Sequence, residues 1–236
     1  MRVVLMASGR GTNVQALLAA RAQWNVDVHF AGLVSDKPNA PALNLAQASG
    51  IPTAVVVPAA FRDRTTWNQR LGSTVADFAP DLVVMAGFMR IVSLEALCGF
   101  RAPAINVHPA LLPSFPGAHA VRDALAAGVR VTGVTVHQVI PAVDAGPILE
   151  QEALRILTDD DEATLAARVH QIEHRLLPRV VHALAIFKTA NNAHGAAPRP
   201  PDTEIRRKTE SPPTPFDDSL PYHYRAGLAL LDGQGT

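Results

Sequence analysis

The chain has little of three things: cysteine, aromatic side chains and net charge. A single cysteine in 236 residues, Cys98, allows no internal disulfide. Its neighbours in "LEALCGF" offer no histidine or basic side chain to lower its pKa, so it reads as a small buried thiol and not a nucleophile. Aromatic residues make up only 5% of the chain. Lysine plus arginine (21) balances aspartate plus glutamate (21), so no long-range field draws in nucleic acid or an anionic membrane. Any phosphate has to be bound locally. No secretory signal and no apolar run of spanning length is present, which leads to the expectation of a cytoplasmic protein.

What remains is a chain that is 48% hydrophobic, enough for one substantial core. Short apolar runs alternate with segments of helical period: "VVLMA" then 13–22, "FAGLVS" then 40–49, "TAVVV" then 63–78, and "LVVMAG" then 93–98. That alternation predicts an α/β fold with a parallel sheet covered by helices. The pattern then changes. "VRVTGVTVHQV" alternates like a β-ribbon and "GPILEQEALRI" continues it, which predicts a non-parallel extension of the sheet. A long helix follows from about Asp161 to Phe187, with Leu165, Val169, Ile172, Leu176, Val180 and Leu184 on one stripe and a kink expected at Pro178. Residues 190–236 hold 7 of the 19 prolines and few apolar side chains. The chain therefore divides into a domain over 1–188 and a proline-rich, flexible tail over 189–236, whose last stretch, "GLALLDGQGT", has the character of a short docking strand.

Three stretches suggest chemistry. "MASGRGTNVQALLAA" passes from strand through Gly9, Gly11, Thr12 and Asn13 into a helix, whose free N–H groups favour an anion. A dinucleotide fingerprint would place a third glycine at position 14, where this chain has Val14, and the plain alternative is a turn capped by Thr12 or Asn13. "INVHPALLPSFPG" begins as a strand that sets Asn106 and His108 on one face, then stiffens through Pro109, Pro113 and Pro116. "PAVDAGP" holds Asp144 between two prolines, with Gly146 letting the backbone come close. "HQIEH" at 170–174 matches one zinc-peptidase pattern, but it lacks a third ligand and lies on an ordinary apolar helix stripe, so no metal is expected. His137, in the ribbon, is balanced between the pocket and a structural role, and His119 is left aside.

In order, "SGRGTN", "AGFMRIVS", "NVHPALLPSFPG", "VDAGPIL" and "IEH" closely resemble the glycinamide ribonucleotide (phosphoribosylglycinamide) formyltransferases. The resemblance covers about residues 1–187. It implies a Rossmann-like three-layer sandwich, a mostly parallel sheet with helices on both faces. It implies transfer of a formyl group from 10-formyltetrahydrofolate to the amine of glycinamide ribonucleotide, in purine biosynthesis. Asn106, His108 and Asp144 then form the catalytic group. Gly11, Thr12, Asn13 and Glu173 hold the ribonucleotide. Arg64, Met89, Arg90, Ile91, Val92 and Ile140, with Asn106 and Asp144, border the folate. A cis bond between Leu112 and Pro113 is implied as well. The partners are two small molecules, with neither nucleic acid nor membrane, and the assembly is a monomer or a homodimer. Arg10 falls in a variable slot, and Val121 replaces a histidine that some members carry.

The chemistry requires such a trio. Attack of an amine on a formamide carbon puts negative charge on the formyl oxygen and positive charge on the nitrogen, so an oxyanion partner and a proton path are needed. An asparagine amide donates without titrating, an imidazole exchanges protons near neutral pH, and a carboxylate beside it favours the charged ring. A formyltetrahydrofolate hydrolase shares this chemistry, but those enzymes carry a regulatory domain first, whereas here the glycine turn begins at residue 9. Transfer-RNA formylating relatives carry a long RNA-binding carboxy-terminal domain and a different loop after "LLP". A non-catalytic nucleotide-binding module would need only the glycine turn.

Overall fold

The computed structural model describes residues 1–194. Five strands lie parallel: β1 (Arg2–Met6), β2 (His29–Ser35), β3 (Thr53–Val55), β4 (Leu82–Met85) and β5 (Ala104–His108). The antiparallel ribbon of β6 (Val131–Gln138) and β7 (Ile148–Arg155) extends the sheet beyond β5, giving the order β3-β2-β1-β4-β5-β6-β7. The expected non-parallel extension is present. The helices are α1 (Thr12–Arg21), α2 (Pro41–Ala48), α3 (Arg64–Ala76), α4 (Leu94–Gly99), α5 (Ala120–Ala126) and α6 (Glu162–His194).

Alternation along the strands divides the core between two faces. Val3 and Leu5 of β1, Leu82 and Val84 of β4, and Ile105 and Val107 of β5 join Val14, Leu17, Leu165, Val169, Ile172 and Leu176 from α1 and α6. Val4, Met6, Val83, Met85 and Ala104 face the other way, onto Trp67, Leu71 and Val75 of α3 and Ala96 and Phe100 of α4 or its end. Each fully buried leucine or valine side chain contributes roughly 1.5–3 kcal/mol relative to exposure. The parallel strands β1, β2, β4 and β5 are largely buried on both faces, which is why they read as continuous apolar runs and not as alternation, whereas the edge strand β3 is partly exposed.

Two helices differ from expectation. α5 forms where the sequence pattern predicts no helix: its seven residues carry neither an obvious cap nor a full stripe. α6 runs unbroken past Pro178 and beyond the expected end at Phe187, crossing the boundary drawn between 188 and 189. Proline costs a helix one hydrogen bond, and here Leu176, Leu177, Val180 and Val181 on either side of it are fully buried, so packing holds the helix together. The rest of the tail, including "GLALLDGQGT", lies outside the described residues.

Chain order changes direction at β1 and β4. From β1 the chain moves outward to β2 and β3, then returns to β4 and proceeds to β5. In such sheets, the loops leaving the carboxyl ends of strands on either side of this point diverge and open a crevice. Here those are the glycine turn after β1 and the 86–93 loop after β4.

Candidate active site

A cleft of about 310 Å³ opens at the carboxyl ends of β4 and β5, lined by residues 87–92, Asn106, His108, Gly117, His137 and the loop 139–144. Asn106 and His108 stand two residues apart on β5, so the period of the strand puts them on one face. Antiparallel pairing sets His137 of β6 directly opposite Asn106. Asp144 comes from the loop before β7, in the left-handed region at φ 49°. Gly146 beside it is needed, because a Cβ there would overlap the Gln138 carbonyl oxygen.

The expected trio converges, and His137 joins it. His108 Nδ1 lies 3.4 Å from Asp144 Oδ2, and His137 Nε2 lies 3.6 Å from Asp144 Oδ1. His108 Nε2 faces the Phe115 carbonyl at 2.8 Å, so that nitrogen carries a proton. His137 Nδ1 lies 2.8 Å from the Gln138 carbonyl oxygen, and its Nε2 lies 3.3 Å from Asn106 Nδ2, between that amide and Asp144. The Gly117 backbone N–H donates to Asp144 Oδ2 at 2.8 Å. Both histidines are buried. Burial alone would raise the Asp144 pKa, but the His137 hydrogen bond, the Gly117 N–H and the charge of His108 together hold it below the usual carboxylate value. Asp144 therefore stays ionised through the neutral range and presents its carboxylate to the His108 ring. The bond between Leu112 and Pro113, in the loop that follows β5, is cis.

The second cluster lies at the glycine turn. Gly11, not Thr12 or Asn13, is the residue that caps α1, in the left-handed region at φ 80°. A Cβ on it would approach Ala42 of α2 within 2.8 Å. Asn13 is buried on the first turn of α1, and its Nδ2 donates to Glu173 Oε2 of α6 at 3.1 Å. His170 Nδ1 meets the same oxygen at 2.9 Å. Glu173 thus stands beside the turn that precedes it by 160 residues. His170, one helical turn before it, entered the sequence analysis only as part of the zinc-peptidase pattern, and here it pairs with Glu173. Its side-chain hydrogen bond to Glu173 raises its pKa.

Of the residues expected around the folate, Met89, Arg90, Ile91, Val92, Ile140, Asn106 and Asp144 line the cleft, and Arg64 stands outside its wall, behind Ile91. Met89 and Ile91 expose their side chains and Val92 is buried. Ile140 lines the cleft with them. The Arg64 guanidinium donates to the Ile91 carbonyl and stacks on Trp67, 4.3 Å from the ring centre. Arg90 Nε donates to Asp36 Oδ2 at 2.6 Å. Among the described residues no group of three or more histidine, cysteine or carboxylate side chains could hold a metal ion, and no helix is long and apolar enough to cross a membrane.

A sheet with a carboxylate, two imidazoles and an amide gathered in the cleft at the carboxyl ends of β4 and β5 defines an α/β enzyme equipped for group transfer with proton movement. Residues 1–181 match the formyl transferase family, and the chain belongs to it. It is 43% identical over 185 residues to a phosphoribosylglycinamide formyltransferase of Mycobacterium tuberculosis, covering 78% of this chain and 85% of that one. It is 36% identical over 183 residues to the phosphoribosylglycinamide formyltransferase of Bacillus subtilis, covering 78% and 94%. The crystal structure of glycinamide ribonucleotide transformylase 1 from Symbiobacterium toebii superposes with a TM-score of 0.75 at 37% identity, covering 78% of this chain and 87% of that one.

Proposed function

We propose that the chain transfers the formyl group of 10-formyltetrahydrofolate to the primary amine of glycinamide ribonucleotide, giving formylglycinamide ribonucleotide and tetrahydrofolate in purine biosynthesis. The single observation that carries the reading is the convergence of Asn106, His108 and Asp144 in one cleft, within a chain whose relatives bear that activity. No metal takes part in this reading, and the enzyme works as a monomer or a homodimer in the cytoplasm.

The pterin packs along the backbone of 89–92 and against Ile140 to Asp144, which brings the formyl group to Asn106 and His108. Gly11, Thr12 and Asn13 receive the ribonucleotide phosphate on the free N–H groups of α1. Glu173 receives a donor of the same substrate. The amine nitrogen attacks the formyl carbon, a C–N bond forms, and the carbonyl electron pair moves onto oxygen. Asn106 donates to that oxygen, a type of contact worth about 3 kcal/mol in the transition state. His108, held by Asp144 on one ring nitrogen and by the Phe115 carbonyl on the other, adds to the stabilisation of that oxygen. Asp144 accepts the proton lost by the amine through a water and returns it by the same water to the folate nitrogen, while the pair on oxygen re-forms the carbonyl and the bond from carbon to that nitrogen breaks. His137 orients both Asn106 and Asp144.

The competing reading is hydrolysis of the same folate. Purified protein is incubated with 10-formyltetrahydrofolate with and without glycinamide ribonucleotide, and tetrahydrofolate release is followed. Release only with the amine is the expected result; equal release without it would make the enzyme a hydrolase.

A further inference from the structure

The segment from Gly87 to Val92 gives the folate its backbone wall, and side chains from elsewhere hold it at three points. Ser8, in the glycine turn, donates its backbone N–H to the Gly87 carbonyl at 2.9 Å and accepts the Met89 N–H on Oγ at 2.8 Å. Arg64 donates to the Ile91 carbonyl. The third hold is Asp36, just past the end of β2. Its side chain is wholly buried, at 0% exposure, while that of Arg90 is 38% exposed. Oδ2 takes the Arg90 Nε at 2.6 Å, and Oδ1 is sealed from solvent with no hydrogen-bond partner.

A carboxylate this deep is costly unless paired, and Arg90 is the one cation bonded to it among the described residues. Arg90 is therefore tied to the floor of β2 and not free to swing with a ligand. Asp36 itself is not part of the cleft wall.

We propose that Asp36 is a positioning residue for the folate substrate: through Arg90 it fixes the backbone of 89–92 in the shape that receives the pterin, touching neither substrate. The proposal rests on the assignment of this loop to folate. It predicts an effect confined to one substrate, because the ribonucleotide cradle at Gly11–Asn13 and the trio at Asn106, His108 and Asp144 do not depend on the ion pair.

The test uses the full chain, with both substrates varied in steady state and tetrahydrofolate binding measured by titration calorimetry. Asp36→Asn keeps the shape and removes the charge. It should raise the KM for formyl-folate and the Kd for tetrahydrofolate about tenfold, leaving kcat and the KM for glycinamide ribonucleotide within about twofold. Arg90→Met should do the same, and the double variant should be no worse than the weaker single, since one link is lost in each case. Lowered thermal stability with both KM values unchanged, both KM values rising together, or losses that multiply in the double variant would each overturn it. If Asp36→Asn does not fold, Arg90→Lys decides: it keeps the charge but not the Nε donor, and an unchanged folate KM overturns the proposal. Wild-type protein that binds no tetrahydrofolate sinks the functional reading and this inference with it; wild-type binding matched by the variants sinks only the inference.

Discussion

Asn106 shows how much one residue type decides. Its amide supplies a donor that carries no proton to lose, so its chemistry matters more than its volume. Asn106→Ala should lower kcat about 10²- to 10³-fold with little change in either KM, checked by steady-state kinetics. The pair of His170 and Glu173 carries a different signature. Folding raises the His170 pKa through the Glu173 hydrogen bond, so the protonated form favours the folded state. That contribution is complete below the unfolded histidine value of about 6.5 and is lost as pH rises through the higher folded value. The Tm difference between wild type and His170→Gln should therefore be widest below about pH 6 and shrink towards pH 8.5; a difference that stays flat would contradict it. Asn106, His108 and Asp144 were legible because each sits in a motif, on a strand face or between prolines. Asp36, Ser8 and His170 were not, because their partners lie 54 residues away, 81 residues away and on a helix stripe that reads as ordinary core.

Elements were legible to the degree that burial imposes a period. β1, β2 and β4 were expected within one or two residues of where they lie, because both faces of each strand are covered and the apolar run ends where cover ends. α5 was missed for the opposite reason: it buries only Ala120 and Ala124, too little to leave a stripe. The start of α1 is instructive. Thr12 and Asn13 are good caps by themselves, yet the close approach of α2 hands the position to Gly11, a tertiary demand that local preference does not contain. Gly11→Ala has to meet both the left-handed backbone and the Ala42 contact. It should cost about 2–5 kcal/mol in urea unfolding, where a loss below about 1 kcal/mol would contradict the account.

At the scale of the whole molecule, topology does what no motif can. The order β3-β2-β1-β4-β5 opens one crevice, and the ribbon of β6 and β7 folds back antiparallel to carry Asp144 and His137 against β5. The fold class followed from the rhythm of strands and helices, but the meeting of Asn13 with Glu173 depends on α6 returning across the sheet to α1. With a formal net charge of +0, no long-range field steers anionic substrates, so kcat/KM should vary less than about threefold between 20 and 200 mM salt. A steep decline would point to steering by a charged face. The central claim is that two loops distant in the chain act as one unit on a single formyl group. Its most direct measurement is the turnover of His108→Ala, Asp144→Asn and their double variant, with tetrahydrofolate binding verified in each. Each single change should lower kcat by about 10²- to 10⁴-fold and the double scarcely further, as expected for groups that work together. Near-normal turnover in either single variant, or losses that simply multiply in the double, would contradict it.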